Sequence, residues 1–198
     1  MARPQEFNRN DVLDQALLVF WKKGFEATSV QDLVDATGLN RGSLYNTFGD
    51  KAELFAEVME HYRAASPTKP LVQAVQDPHG DINVRDLIGL FFSDLVKRAQ
   101  NDFDHKGCLM TNTSAGFYGC DETMAQWVRD SFAGLEDTLT TLIARGQKQG
   151  SVTSTAKPRA LARALVASAQ GFNVIARGGA KPQALKDIAA QAVHALDH

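Results

Sequence analysis

The 198-residue sequence predicts an all-α fold of about nine helices. Residues 1–63 are expected to form a three-helix domain containing a helix-turn-helix, and residues 64–198 a C-terminal helical bundle. Two observations lead to this fold class. Apolar residues recur at helical spacing in segment after segment. Residues that cap helices, such as Ser29 and Asn40, and glycines that end them, such as Gly38 and Gly150, separate those segments.

The composition is that of an ordinary globular protein. Hydrophobic residues make up 44% of the chain and charged residues 22%. No apolar run approaches the roughly 20 residues that a membrane-spanning helix needs, and the N-terminus lacks the apolar stretch of a signal peptide. The two cysteines, Cys108 and Cys120, are too few for a disulfide framework. We therefore expect a cytoplasmic protein with no membrane partner.

The stretch from Thr28 to Lys51 has the pattern of a helix-turn-helix. Ser29 can cap a first short helix, Gly38 can close it, and Asn40 can cap a second. The second helix is only about a dozen ångströms long, at roughly 1.5 Å per residue, which suits a major groove roughly 12 Å wide. Its small and polar side is expected to face outward; that side consists of Arg41, Gly42, Ser43, Tyr45, Asn46 and Thr47.

Each residue on this side has a chemistry that suits DNA. Hydroxyls and backbone N–H groups at a helix N-terminus bind phosphate, arginine binds guanine or phosphate, and asparagine can read adenine. Glycine lets the backbone come close, and a tyrosine hydroxyl can bond to a phosphate. Lysine in the first turn of the next helix serves a phosphate or is simply solvated. The predicted DNA contacts are Thr28, Ser29, Arg41, Gly42, Ser43, Tyr45, Asn46 and Lys51.

Two runs of sequence resemble the DNA-binding domain of the TetR/AcrR family of transcriptional regulators. They are Gly-Phe-Glu-Ala-Thr-Ser-Val (24–30) and Gly-Leu-Asn-Arg-Gly-Ser-Leu-Tyr-Asn-Thr-Phe-Gly-Asp-Lys-Ala-Glu-Leu (38–54). The resemblance covers residues 8–63. It departs at Asn46 and Thr47, where histidine is frequent, which leaves base preference open. The resemblance implies a homodimer that binds double-stranded DNA, usually a repressor released from a palindromic operator by a small effector.

Net charge argues mildly against nucleic acid. Residues 1–63 hold seven basic and ten acidic residues, a net charge of −3, whereas a strongly basic domain is the usual mark of phosphate binding. A local basic patch on an acidic domain is sufficient for docking. It predicts an affinity that depends only modestly on salt concentration.

The C-terminal bundle is rich in aromatic residues, which either line an effector pocket or form ordinary core. The pocket candidates are Phe91, Phe92, Cys108, Met110, Phe117, Trp127, Phe132 and Phe172. Gly116 and Gly119 weaken the helix around Phe117, so this segment is either a hinge or the end of that helix.

Cys108 suggests a second way of sensing. The run from Gly107 to Asn112 resembles a subgroup of the same family in which Gly-Cys-Leu opens the sixth helix. A thiol at a helix N-terminus beside Lys106 and His105 is in a setting that promotes reactivity with oxidants and electrophiles. The alternative is that Cys108 is a small buried residue.

The last two predicted helices carry apolar stripes rich in small residues. Either they cap a monomeric bundle, or they associate with a second copy, as the resemblance implies, and so set two recognition helices about 34 Å apart. The predicted interface residues are Leu161, Leu165, Phe172, Leu185, Ile188, Ala192 and Leu196.

Other functional classes have weaker support. The sequence shows no Ser-His-Asp pattern, no phosphate-binding glycine loop and no Cys/His metal-ligand spacing. We therefore expect no catalytic residues, no cofactor and no metal site. An architectural DNA binder without an effector would leave the large aromatic C-terminal domain with no task beyond dimerisation.

Overall fold

The computed structural model describes residues 7–102, 104–115 and 122–198, and within these ranges it contains helices and no strands. There are ten helices in the described part: α1 Arg9–Ala27, α2 Val30–Thr37, α3 Arg41–Phe48, α4 Lys51–Ala64, α5 Lys69–Gln76, α6 Val84–Gln100, α7 Leu109–Ala115, α8 Glu122–Gln149, α9 Pro158–Arg177 and α10 Pro182–His194. The chain divides into two compact units, Met1–Ser66 and Pro67–His198.

The all-α prediction is confirmed, with one helix more than the nine expected. The additional helix is α5, which the sequence indicated only as a possible short helical piece in a segment broken by prolines. Pro70 lies in the first turn of α5, where its missing N–H costs no hydrogen bond and its fixed φ suits the helix. Leu71 is fully buried and anchors this helix to the second unit.

Helices α1 to α4 form the first unit around an aromatic and aliphatic core. Phe20 of α1 meets Phe55 of α4 edge to face, with ring centroids 4.8 Å apart. Helix α1 is interrupted at Gly24, where φ is +77°. Only a residue without Cβ adopts this backbone readily, so regular helix ends there and the chain turns toward α2. Buried side chains from the other helices complete this core: Leu33, Leu44, Phe48, Leu54, Val58 and Met59.

The helix ends in this unit are capped as the sequence predicts. Ser29 and Asp32 form a capping box at α2, and Gly38, with φ of +69°, closes that helix in the left-handed conformation. The Oδ1 atom of Asn40 accepts from the Ser43 N–H at 2.8 Å and caps α3. These capping interactions define the start and end of α2 and the start of α3. They therefore help to set how α3 is oriented.

Helices α5 to α10 form the second unit. The 28-residue helix α8 packs along α9, and α6 packs against α10. Arg145 of α8 donates to the carbonyl oxygens of Ala74, Asp77 and Gly80, which holds the end of α5 and the loop after it. The C-terminus is fixed in the same way, because the N–H groups of Thr153 and Ser154 both donate to Leu196 O.

The predicted dimer-interface residues require a correction. Six of the seven lie inside the protomer, with exposures between 0 and 7%; these are Leu161, Leu165, Phe172, Leu185, Ala192 and Leu196. Ile188 is half-buried. The apolar stripes of α9 and α10 are covered by other helices of the same unit. A broad apolar stripe on a helix usually faces the core of its own domain.

None of the described helices is long and apolar enough to cross a membrane.

Candidate nucleic-acid interface

Helix α3 has one buried face and one open face. Leu44 and Phe48 are buried at 2% and 3% exposure and hold the helix against the core. On the opposite side Arg41, Gly42 and Asn46 are exposed, while Ser43 and Tyr45 are half-buried. The structure therefore brings together on one surface the α3 residues that were predicted to contact DNA. Their spacing places them on the first two turns of an eight-residue helix.

Arg41 is the most available cation of this surface. Its guanidinium carbon lies 5.6 Å from the centre of the Tyr45 ring, a distance at which a cation–π attraction steadies the side chain. No ion pair involves Arg41 within the described residues. An unpaired guanidinium on an exposed helix start can reach a base edge or a phosphate without first breaking a salt bridge.

Gly42 is not required by the fold. A Cβ built on it would lie 3.4 Å from Asn40 Oδ1, an ordinary contact. The free protein has room for a larger residue here. Packing within the protein therefore does not explain why this position is glycine.

Thr28 is placed differently from the prediction. Its side chain is 1% exposed, and its hydroxyl donates to Gly24 O at 2.6 Å, while its N–H donates to Phe25 O at 3.3 Å. The hydroxyl and the N–H of Thr28 therefore both donate to carbonyl oxygens within the turn between α1 and α2. A hydroxyl contact from Thr28 to a phosphate is excluded in this arrangement, since the side chain faces the turn and not solvent.

Ser29 is exposed, but the N-terminus of α2 already holds an anion of the chain itself. The Asp32 carboxylate accepts from the Ser29 N–H at 2.9 Å and from its hydroxyl at 2.8 Å, and Lys23 Nζ lies 2.5 Å away. The Lys23 hydrogen bond, followed by those of Ser29, lowers the pKa of Asp32 from 3.8 to about 2. A phosphate arriving at this helix end would meet a fully ionised carboxylate.

Lys51 has a structural task as well as the predicted one. Its Nζ donates to Thr28 O at 2.8 Å and lies 4.4 Å from the centre of the Phe25 ring. The side chain therefore ties the first turn of α4 to the turn that precedes α2. It is half-buried, so its charge stays near the surface on which α3 is exposed.

Arg9 supports this surface through contacts that the sequence did not predict. Its Nη2 donates to both carboxylate oxygens of Glu57, at 2.7 and 2.6 Å, and its Nη1 donates to Thr47 O at 3.3 Å. Its guanidinium carbon lies 4.4 Å from the centre of the Phe48 ring. It braces the C-terminal end of α3. Its partners lie 38 to 48 residues along the chain, so no local pattern could have indicated them.

An exposed short helix behind a glycine turn, held by a buried apolar face, defines a helix-turn-helix protein. The sequence comparisons agree. The profile described as "Bacterial regulatory proteins, tetR family" matches residues 12–58, and that described as "Tetracyclin repressor-like, C-terminal domain" matches residues 87–192. The chain belongs to the TetR family, whose members are transcriptional regulators, and it is a DNA-binding transcriptional regulator.

Individual relatives extend over nearly the whole chain. The HTH-type transcriptional repressor ComR of Escherichia coli K12 is 29% identical over 188 residues, covering 95% of this chain and 88% of ComR. The uncharacterised regulator YezE of Bacillus subtilis 168 is 28% identical over the full length of both. A cysteine mutant of the TetR-family regulator CifR, solved with 26-base-pair operator DNA, is 25% identical with a TM-score of 0.82, covering 98% of this chain and 99% of that one.

The predicted effector residues fall into two groups. Phe91, Phe92 and Phe172 are buried core, with Phe91 and Phe92 edge to face at 5.1 Å. The remaining described candidates are half-buried: Cys108, Met110, Trp127 and Phe132. Phe117, Gly116 and Gly119 lie outside the described residues. The first three side chains therefore fill the bundle, and the second group retains surface that a ligand can contact.

Cys108 immediately precedes α7. Its carbonyl accepts from Asn112 N–H at 2.9 Å, which makes it the residue that opens this helix, as the sequence predicts. Lys106 lies beside Asp104, with Nζ 3.8 Å from the carboxylate. Among the described residues no group of three or more His, Cys, Asp or Glu side chains is arranged to hold a metal ion.

Proposed function

We propose that this protein is a sequence-specific repressor that binds a palindromic operator as a homodimer and is released by a small effector. The observation that carries the proposal is the open face of α3, where an unpaired Arg41, Gly42 and Asn46 stand on a helix anchored by buried residues. ComR is described as a repressor, and CifR was solved with double-strand operator DNA. Such a protein works in the cytoplasm, where its operator lies.

Domain assignment follows the same proposal. Residues 1–63 bind DNA, and residues 64–198 carry dimerisation and effector sensing. The predicted DNA contacts remain Ser29, Arg41, Gly42, Ser43, Tyr45, Asn46 and Lys51, with Thr28 acting through the turn that it closes rather than through its hydroxyl.

The dimer is proposed to use the outer face of α9. Five exposed residues follow one another there at intervals of three and four, the spacing of a helix-packing seam: Ala160, Ala164, Ala167, Gly171 and Val174. Small residues let a second helix approach closely, and Val174 is 58% exposed. The two charged exposed residues of the first turns, Arg159 and Arg163, point instead to Glu136 of α8.

Operator selection from genomic fragments tests the DNA-binding proposal. The selected site is expected to be palindromic, with half-sites one helical turn apart or a multiple of it. Arg41→Ala is expected to weaken binding to that site by about 1–3 kcal/mol if Arg41 reads a base. An equal loss on unrelated DNA would assign Arg41 to phosphate instead.

Arg63→Ala is the matched control, because Arg63 is an exposed arginine of the same unit that pairs with Glu60. Its loss should leave operator affinity unchanged. A selection that returns no enriched sequence would contradict sequence-specific binding.

Thiol sensing through Cys108 is a second candidate, and its position as the first residue before α7 favours it. The CifR structure is that of a cysteine mutant. The test is alkylation kinetics together with operator release. If Cys108 reacts no faster than free cysteine and Cys108→Ser retains full release, this candidate fails.

A further inference from the structure

Helix α7 is fixed to the second unit by few side chains. In its described part, Leu109 and Thr111 are buried. Most helical stability in proteins comes from tertiary packing, so the position of α7 depends on such contacts. The hydroxyls of Thr113 and Ser114 donate to carbonyl oxygens within α7, those of Leu109 and Thr111 respectively. Among the described residues of α7, Thr111 is the one whose hydroxyl bonds to another helix.

That hydroxyl enters a polar cluster between α7 and α9. Thr111 is 5% exposed, and its Oγ1 donates to Gln170 Oε1 of α9 at 2.6 Å. Asn173 Nδ2 donates in turn to Thr111 Oγ1 at 3.4 Å. Gln170 and Asn173 lie three residues apart and therefore share one face of α9. Thr111, Gln170 and Asn173 are referred to below as the α7–α9 cluster.

The cluster has two unused ends. Each primary amide carries both an N–H₂ donor and a carbonyl acceptor, and each of these two uses one of them on Thr111. Within the described residues, the Gln170 N–H₂ and the Asn173 carbonyl have no partner. Both side chains are half-buried, so these ends remain accessible. The cluster therefore keeps one donor, on Gln170, and one acceptor, on Asn173.

We propose that the α7–α9 cluster is the polar end of the effector site and binds an uncharged group that carries both a hydrogen-bond acceptor and a donor, such as a carboxamide. The proposal rests on the proposed function. The three members are neutral, and a charged group set against neutral amides in a partly buried site loses more hydration than it regains. A ligand that exchanges partners with Gln170 or Asn173 also loosens the hold of Thr111 on α9, which gives it a direct effect on α7.

The test must distinguish an uncharged ligand from an anion, which is the alternative. Arg177 lies one turn beyond Asn173 on α9, and its side chain packs along Gly107, with Cβ 3.2 Å from where a Cβ on that glycine would stand. A carboxylate drawn to Arg177 would bind in the same neighbourhood. Three probes with one aromatic body distinguish the cases: benzamide, benzoate and toluene.

The experiment follows the side-chain amide resonances of Gln170 and Asn173 in the ¹⁵N-labelled full-length protein. Gln170→Leu and Asn173→Leu identify the two resonances by their disappearance. Benzamide is expected to shift both, and to bind about ten-fold more tightly than toluene, the effect of one or two net hydrogen bonds. Benzoate is expected to bind no more tightly than toluene.

Thr111→Val, which removes the hydroxyl at almost unchanged volume, should abolish the preference for benzamide. Thr113→Val is the matched control on the same helix, because its hydroxyl bonds only within α7. The thermal unfolding of both variants establishes that they are folded. The proposal is overturned if no probe moves either resonance up to its solubility limit, if benzoate or toluene binds as tightly as benzamide, or if Thr111→Val keeps the preference.

Operator affinity, measured by fluorescence anisotropy with and without benzamide, separates this proposal from the function on which it rests. Benzamide binding at the cluster with unchanged operator affinity supports the site and contradicts release through it. Unmoved amide resonances in a protein that still binds its operator overturn the site and leave DNA binding intact.

Discussion

Asp32 illustrates how a single residue near the candidate DNA surface is set by its neighbours. Its carboxylate completes a capping box with Ser29 and pairs with Lys23, so the free protein fills the α2 N-terminus with its own negative charge. Lys51 and Arg9 are committed in the same way, to backbone carbonyls and to Glu57. Arg41 is therefore left as the main free cation among these residues, and we expect DNA affinity to depend on a few contacts rather than on bulk charge.

Asp32 should make stability depend on pH in acid. Because its pKa is about 2 in the folded state and 3.8 ordinarily, its contribution is complete above about pH 4 and is lost as the pH falls toward 2. Urea unfolding between pH 6 and pH 2 should show a smaller loss of stability for Asp32→Asn than for the wild type. Asp35→Asn serves as the control. Parallel curves for wild type and Asp32→Asn would contradict this reading.

Gly42→Ala should separate folding from DNA binding. Alanine is favoured over glycine within a helix by about 1 kcal/mol, and the new Cβ meets only an ordinary contact, so the free energy of unfolding should stay the same or rise. Operator affinity should fall, because the backbone can no longer approach the DNA as closely. Urea unfolding and anisotropy titration measure the two effects. A variant with full operator affinity would show that glycine is not needed there.

At the scale of the element, α8 shows how the same residue type has two roles in one helix. Gly134 is exposed, and a Cβ there would meet nothing within 4 Å. Gly146 is packed, and a Cβ there would lie 2.6 Å from a Val152 methyl and 2.9 Å from Val84 Cβ. The first glycine weakens the helix without a packing reason, and the second makes room for the loop and for the start of α6.

The two glycines should respond oppositely to alanine. Gly134→Ala is expected to stabilise the protein by about 1 kcal/mol through helix propensity. Gly146→Ala is expected to destabilise it by about 1–3 kcal/mol through overpacking, despite the same propensity gain. Urea unfolding of both variants decides the matter. Equal changes in the free energy of unfolding would show that packing around Gly146 adjusts freely.

At the scale of the whole molecule, the second unit uses the apolar faces of α9 and α10 for its own core and leaves the small-residue face of α9 outside. The proposed assembly surface and the core therefore lie on different sides of one helix. This arrangement allows the proposed interface to be broken without unfolding the protomer.

Val174→Asp should convert the protein to a monomer of unchanged fold and abolish tight binding to the palindrome, because a charge would be buried between two copies. Sedimentation velocity measures the mass, and circular dichroism measures the fold. Leu90→Asp is the control, since Leu90 of α6 is 66% exposed and lies on another helix. If Val174→Asp remains a dimer, the outer face of α9 is not the interface.

Every described helix except α5 could be predicted from the sequence alone, together with the caps of α2 and α3 and the outward face of α3, because these depend on apolar spacing and on hydrogen bonds between residues within four positions of each other. The tertiary structure decided which side of α9 is core, how Arg9 and Lys51 are paired, and that the Thr28 hydroxyl is closed off. It also brought Thr111 to Gln170 and Asn173, which lie about 60 residues away. Such pairings depend on how the helices pack together, and an apolar stripe shows that a face is buried without showing what covers it.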